Sequence, residues 1–118
     1  MKTKNILVLA HLAPFGSIWT AEAYRSAMGF STSDLPTKMV LFGDAVFAAV
    51  KGQEAESIGS GSLAKELANA EAFEIDLFIH GPSLQERSLT PQDVIDVETV
   101  SDAALQKLIA EADHVITF

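Results

Sequence analysis

The chain has 118 residues, enough for one domain that buries roughly two-thirds of its unfolded surface. It is 48% hydrophobic and 20% charged, a globular rather than a disordered composition. The 16 acidic and 8 basic residues give a net charge of −8, and the basic residues are scattered, which argues against direct binding to nucleic-acid phosphates. There is no cysteine, so disulfides, zinc–thiolate sites and cysteine nucleophiles are excluded.

Five short apolar runs predict five strands: Asn5–Ala10, Lys38–Phe42, Ile75–Ile79, Val94–Val97 and His114–Phe118. The first three are nearly continuous in apolar residues, as central parallel strands buried on both faces require. The fourth is mixed and belongs nearer an edge. Between the runs the period becomes helical. Ser17–Met28 reads as a helix with Glu22 and Arg25 on its polar side, and Asp44–Val50 as a short helix capped by Asp44. Ser62–Phe73 and Ser101–Ala112 read as two more. In the last, Ser101 caps the start, Asp102 suits the first turn, and Leu105, Leu108, Ile109 and Ala112 form the apolar stripe. Lys51–Gly61, with three glycines, is expected to be a loop.

Strand alternating with helix predicts a single α/β domain over residues 1–118: three layers, α/β/α, around a five-stranded, mainly parallel sheet of flavodoxin-like or Rossmann-like type, with right-handed crossovers. The basic, apolar N-terminus is too short and too early interrupted, by His11 and Pro14, for a signal peptide, and no 18-residue apolar span is present. A cytoplasmic protein without a membrane segment is expected.

In such a sheet the carboxyl ends of the strands share one edge, where ligands bind. His11, Asp44 and His80 each follow an apolar run and are placed on that edge, whereas His114 precedes its strand and falls on the opposite one. A loop histidine bonded to backbone is the first reading of His11, and a helix cap that of Asp44. For His80 a site-facing and a purely structural role stand level. His80 ends the third strand and precedes Gly81-Pro82-Ser83, where Pro82 or Ser83 starts a short helix. His11, Asp44, His80 and Ser83 are therefore the candidate binding residues.

A metal site built from His11, His80 and Asp44 lacks a compact ligand motif, and no metal or cofactor is expected. Ser57–Ser62 looks like a phosphate loop only superficially, with neither the Walker nor the G-x-G-x-x-G pattern. Ser17 and Ser83 lack the G-x-S-x-G context of a hydrolase nucleophile, so no catalytic residue is assigned. Phe15, Trp19 and Phe47 flank the same edge, as core residues, as a cover for the pocket or as a subunit contact.

Several segments together resemble the DsrE/DsrF family, most closely its DsrF/TusC branch. They are Ala13-Pro14-Phe15-Gly16-Ser17 with Glu22, Phe42-Gly43-Asp44-Ala45-Val46-Phe47, the run from Ser83 to Gln92, and Ala112-Asp113-His114-Val115-Ile116-Thr117-Phe118. The resemblance implies a small α/β domain working in cytoplasmic sulfur trafficking, either in a persulfide relay toward tRNA thiolation or in sulfur oxidation. It also implies trimers or hexamers, built from DsrE/DsrH- or TusD/TusB-like subunits or from the chain itself. In the family's sulfur carriers a cysteine after a central strand holds the persulfide. This chain has none, and His80 cannot replace a thiolate. The expectation is a cysteine-free, non-catalytic accessory subunit, with His80 able to donate a hydrogen bond to an anionic sulfur species. The alternative is an independent small-molecule or nucleotide-binding homo-oligomer on the same fold. A cysteine-free enzyme using His80 as acid or base ranks third, for want of a paired base or nucleophile.

Overall fold

The structure, a computed structural model, describes residues 4–11, 19–50 and 63–118. Strand β1 (Ile6–Ala10) is followed by helix α1 (Trp19–Thr32), β2 (Thr37–Leu41) and a 3-10 helix over Gly43–Ala49. Helix α2 (Leu63–Ala68) and a second 3-10 helix (Ala70–Phe73) lead into β3 (Ile75–His80) and α3 (Gly81–Glu86). Then come β4 (Glu98–Val100), α4 (Asp102–Glu111) and β5 (His114–Thr117). The five strands form one parallel sheet in the order β4-β3-β2-β1-β5.

The order explains the layers. The chain moves one way from β1 to β4, then returns to the far side of β1. Right-handed crossovers put connections of opposite direction on opposite faces of a sheet. Accordingly, Ala23, Tyr24 and Ala27 of α1 share a core with Ile6, Val8, Ala10, Met39 and Leu41. On the other face, Leu7, Leu9, Val40 and Val100 pack with Ala104, Leu105, Leu108 and Ala112 of α4. The split between odd and even positions in β1 is the two-residue period of a strand, and all five of its residues are buried.

Several elements differ from expectation. The fourth strand forms at Glu98–Val100, not Val94–Val97. Val94 is buried and makes an isolated antiparallel bridge with Val50, while the Ile95 N–H donates to the Ala49 carbonyl. That apolar run is used up in covering the first 3-10 helix, and the ladder begins only where β3 presents Phe78. The Asp44–Val50 helix is a 3-10 helix starting at Gly43, whose φ of +56° turns the chain one residue early. Phe42 occupies the cap position with no side-chain bond, so Asp44 is not the cap.

The expected Ser62–Phe73 helix is broken at Asn69. The Asn69 N–H bonds the Glu66 carbonyl, tightening the turn, and the Tyr24 hydroxyl donates to the same carbonyl at 2.8 Å. Helix α4 is capped as expected, with the Ser101 hydroxyl accepting from the Ala104 N–H. Its stripe uses Ala104 in place of Ile109, which is exposed. The predicted helix start at Ser17, the Lys51–Gly61 loop, the Ser57–Ser62 segment and Phe15 lie outside the described residues. No helix among the described residues is long and apolar enough to cross a membrane.

Tyr24 makes one pH dependence testable. Its phenol is held above its usual value of 10.0, first by burial and then by the negative charge of Glu66. Above pH 10 the unfolded chain therefore releases this proton while the folded chain keeps it. Stability contributed by the neutral phenol is complete below pH 10 and is lost as pH rises toward the folded value. Urea midpoints of the parent and of Tyr24→Phe, measured from pH 8 to 11, should converge as the parent loses this increment. Parallel curves would refute the coupling.

Candidate functional site

His80 is the last residue of β3 and the N-cap of α3, and Ser83 is the third residue of that helix. Almost one full turn of helix brings position 83 back beneath position 80. The Ser83 hydroxyl lies 2.6 Å from His80 Nδ1, and His80 Nε2 lies 2.6 Å from Asp102 Oδ1 at the start of α4. On its far side Ser83 Oγ accepts the Gly43 N–H at 2.9 Å. A carboxylate only accepts, so Nε2 carries a hydrogen toward Asp102. In a neutral ring, Nδ1 then accepts the Ser83 O–H, and the four groups form one directed chain from Gly43 to Asp102.

Asp44 joins through Arg87. The guanidinium donates to Asp44 Oδ1 from Nε at 3.0 Å and lies 2.9 Å from it through Nη2. Its Nη1 donates to the Ser83 carbonyl at 3.0 Å. Arg87 thus ties the Ser83 carbonyl of α3 to Asp44 in the first 3-10 helix. His11 donates its backbone N–H to the Phe118 carbonyl, and its ring tilts over Phe42 at 5.7 Å. Its carbonyl lies 3.4 Å from where a Cβ on Gly43 would stand, a close approach that suits glycine.

All four sequence candidates thus lie along the carboxyl edge, and His114, the first residue of β5, starts at the opposite one. The structure joins His80 directly to Ser83, and Asp44 to the same helix through Arg87. His11 stands beside the Phe42-Gly43 turn, next to where the strand order reverses between β1 and β5. Among the described residues no three His, Asp or Glu side chains are placed to hold a metal ion.

Three bonded neighbours of the candidates were not legible from motifs: Asp102, read only as a first-turn acid, Arg87, and the Gly43 N–H. Each belongs to a different element, and only the β3–β4 pairing brings α4's first residue to His80. The Asp–His–Ser series has the residue types of a hydrolase triad. Yet Ser83 is only 5% exposed, and its hydroxyl is committed to Gly43 and His80. As it stands the array braces four elements rather than offering a nucleophile.

The model of the DsrE/DsrF-like family matches residues 4–118. The chain belongs to that family. It is 23% identical over a 131-residue alignment to the "Intracellular sulfur oxidation protein DsrF" of Allochromatium vinosum, covering 98% of this chain and 96% of that protein. The crystal structure of the ychN protein from E. coli superposes with a TM-score of 0.84 and 27% identity, covering 98% of this chain and all of that one. Protein MTH1491 of Methanobacterium thermoautotrophicum superposes with a TM-score of 0.64 at 10% identity over 99% of this chain, a likeness of fold alone. Family membership and the α/β architecture therefore agree with the sequence reading.

Proposed function

We propose that this protein is a cysteine-free accessory subunit in intracellular sulfur trafficking, in tRNA thiolation or in sulfur oxidation. The observation that carries the reading is a family match along residues 4–118 in a chain with no cysteine. Sulfur carried as a persulfide needs a thiolate, and imidazole and hydroxyl groups do not substitute for it. The likeness to a protein named for sulfur oxidation supports the pathway class.

In this role the reactive thiol belongs to a related DsrE/DsrH- or TusD/TusB-like subunit, and the assembly is cytoplasmic. The chain contributes a rigid carboxyl edge, with the exposed His11 and Asp44 as its binding positions and with His80 and Ser83 holding that edge from within. The Gly43–Ser83–His80–Asp102 chain holds that edge in one geometry, which a shared site needs.

Purification of the tagged chain from its native host, followed by mass spectrometry, tests this. A cysteine-bearing homologous subunit should co-purify in stoichiometric amount. Sulfur loading of that subunit from a labelled persulfide donor should fall severalfold when the present chain is omitted. A chain that purifies as a homo-oligomer carrying a small molecule, with no homologous partner, would refute the accessory role and favour an independent binding module.

A further inference from the structure

β3 has six residues, but β4 pairs only with its last three, Phe78, Ile79 and His80. Among the described residues no strand lies against that side of Ile75, Asp76 and Leu77. A groove of about 260 Å³ runs beside this open half-edge. Its floor includes the half-buried Leu77, Phe78 and Val97.

The walls carry Glu71, Asp76, Asp96 and Glu98, all exposed, and among the described residues the lining contains no Lys, Arg or His. Among the described residues none of these four carboxylates takes part in an ion pair. Nor are they gathered tightly enough to hold a metal ion. Negative charge spread along an open strand edge, above an apolar floor, complements an extended chain rather than a point cation. Such an edge offers backbone donors and acceptors to an incoming strand. Lysine and arginine suit the walls, because their aliphatic stems lie on apolar surface while their charged heads reach outward.

We propose that this groove binds an extended, lysine- or arginine-bearing segment of a partner protein as an added half-strand along Ile75–Leu77. The groove lies along the amino-terminal half of β3, and His80 lies at the other end of that strand. The proposal therefore stands whether or not the partner is a sulfur carrier.

Fluorescence anisotropy with a labelled alternating lysine–valine hexapeptide tests it. Saturable binding is expected, weakening as salt rises. The double variant Asp76→Asn/Asp96→Asn should weaken it severalfold, up to about tenfold, whereas Asp34→Asn, outside the groove, should leave it unchanged. Methylation of alternate backbone nitrogens of the peptide should abolish it, since strand addition needs those N–H groups. In the unmodified chain, the peptide should slow amide exchange at Ile75–Leu77. Absence of saturable binding, equal binding by the double variant or by the methylated peptide, or unchanged exchange at Ile75–Leu77 would overturn the proposal.

Discussion

Leu41→Ala is expected to destabilise the protein by about 2–5 kcal/mol, toward the upper half of that range. Leu41 is fully buried at the end of β2, in register with Ala10 of β1 and Ile79 of β3. The core around it is rich in alanine, including Ala10, Ala45, Ala48 and Ala49. An alanine side chain has no torsion with which to fill a new void, so collapse would require backbone movement in the central sheet. The residues just beyond Leu41 are Phe42 and Gly43, so any such movement displaces the turn that donates to Ser83. Urea denaturation gives the size of the loss. A loss under about 1 kcal/mol would mean that the sheet closes the cavity freely.

His80→Ala is expected to cost roughly 1–3 kcal/mol, because it deprives a buried hydroxyl of its partner. The Ser83 group would retain the Gly43 N–H but lose the ring nitrogen. The two bonds of His80 should not weigh equally. Ser83 is almost wholly buried, whereas the Asp102 side chain is 74% exposed. Water competes for an exposed carboxylate and screens its charge, so Asp102→Asn should cost no more than about 1 kcal/mol. Double-mutant cycles separate the two contributions. Coupling between His80 and Ser83 should exceed that between His80 and Asp102. The reverse order would mean that the charge on Asp102, rather than burial of Ser83, holds the array together.

The same contrast between local and distant determinants governs what could be read in advance. Strands β1, β2 and β3 were legible because each is a short apolar run between breaking residues, as the interior of the sheet demands, and β5, a mostly exposed edge strand, because no other apolar run competes with it after α4. The cap at Ser101 was legible because capping joins residues three apart. β4 was misplaced because a stronger apolar signal lies just before it, and that signal, Val94, is spent against Val50 rather than in the sheet. Ile109 was misassigned for a similar reason: the helical period marks a stripe, and only the helix's seat on the sheet decides which flank of it is covered.

By itself the sequence determined the class of fold, the edge on which His11, Asp44, His80 and Ser83 stand, and the absence of thiol chemistry. Those properties follow from local periodicity, from the direction of each strand and from composition. Tertiary structure alone decided which partners those residues have. The bonds His80–Asp102, Gly43–Ser83 and Arg87–Asp44 join residues 22, 40 and 43 positions apart. They exist because β2, β3 and β4 are neighbours in the sheet. Strand order is set by the packing of the whole domain, and no local pattern in a single chain encodes it.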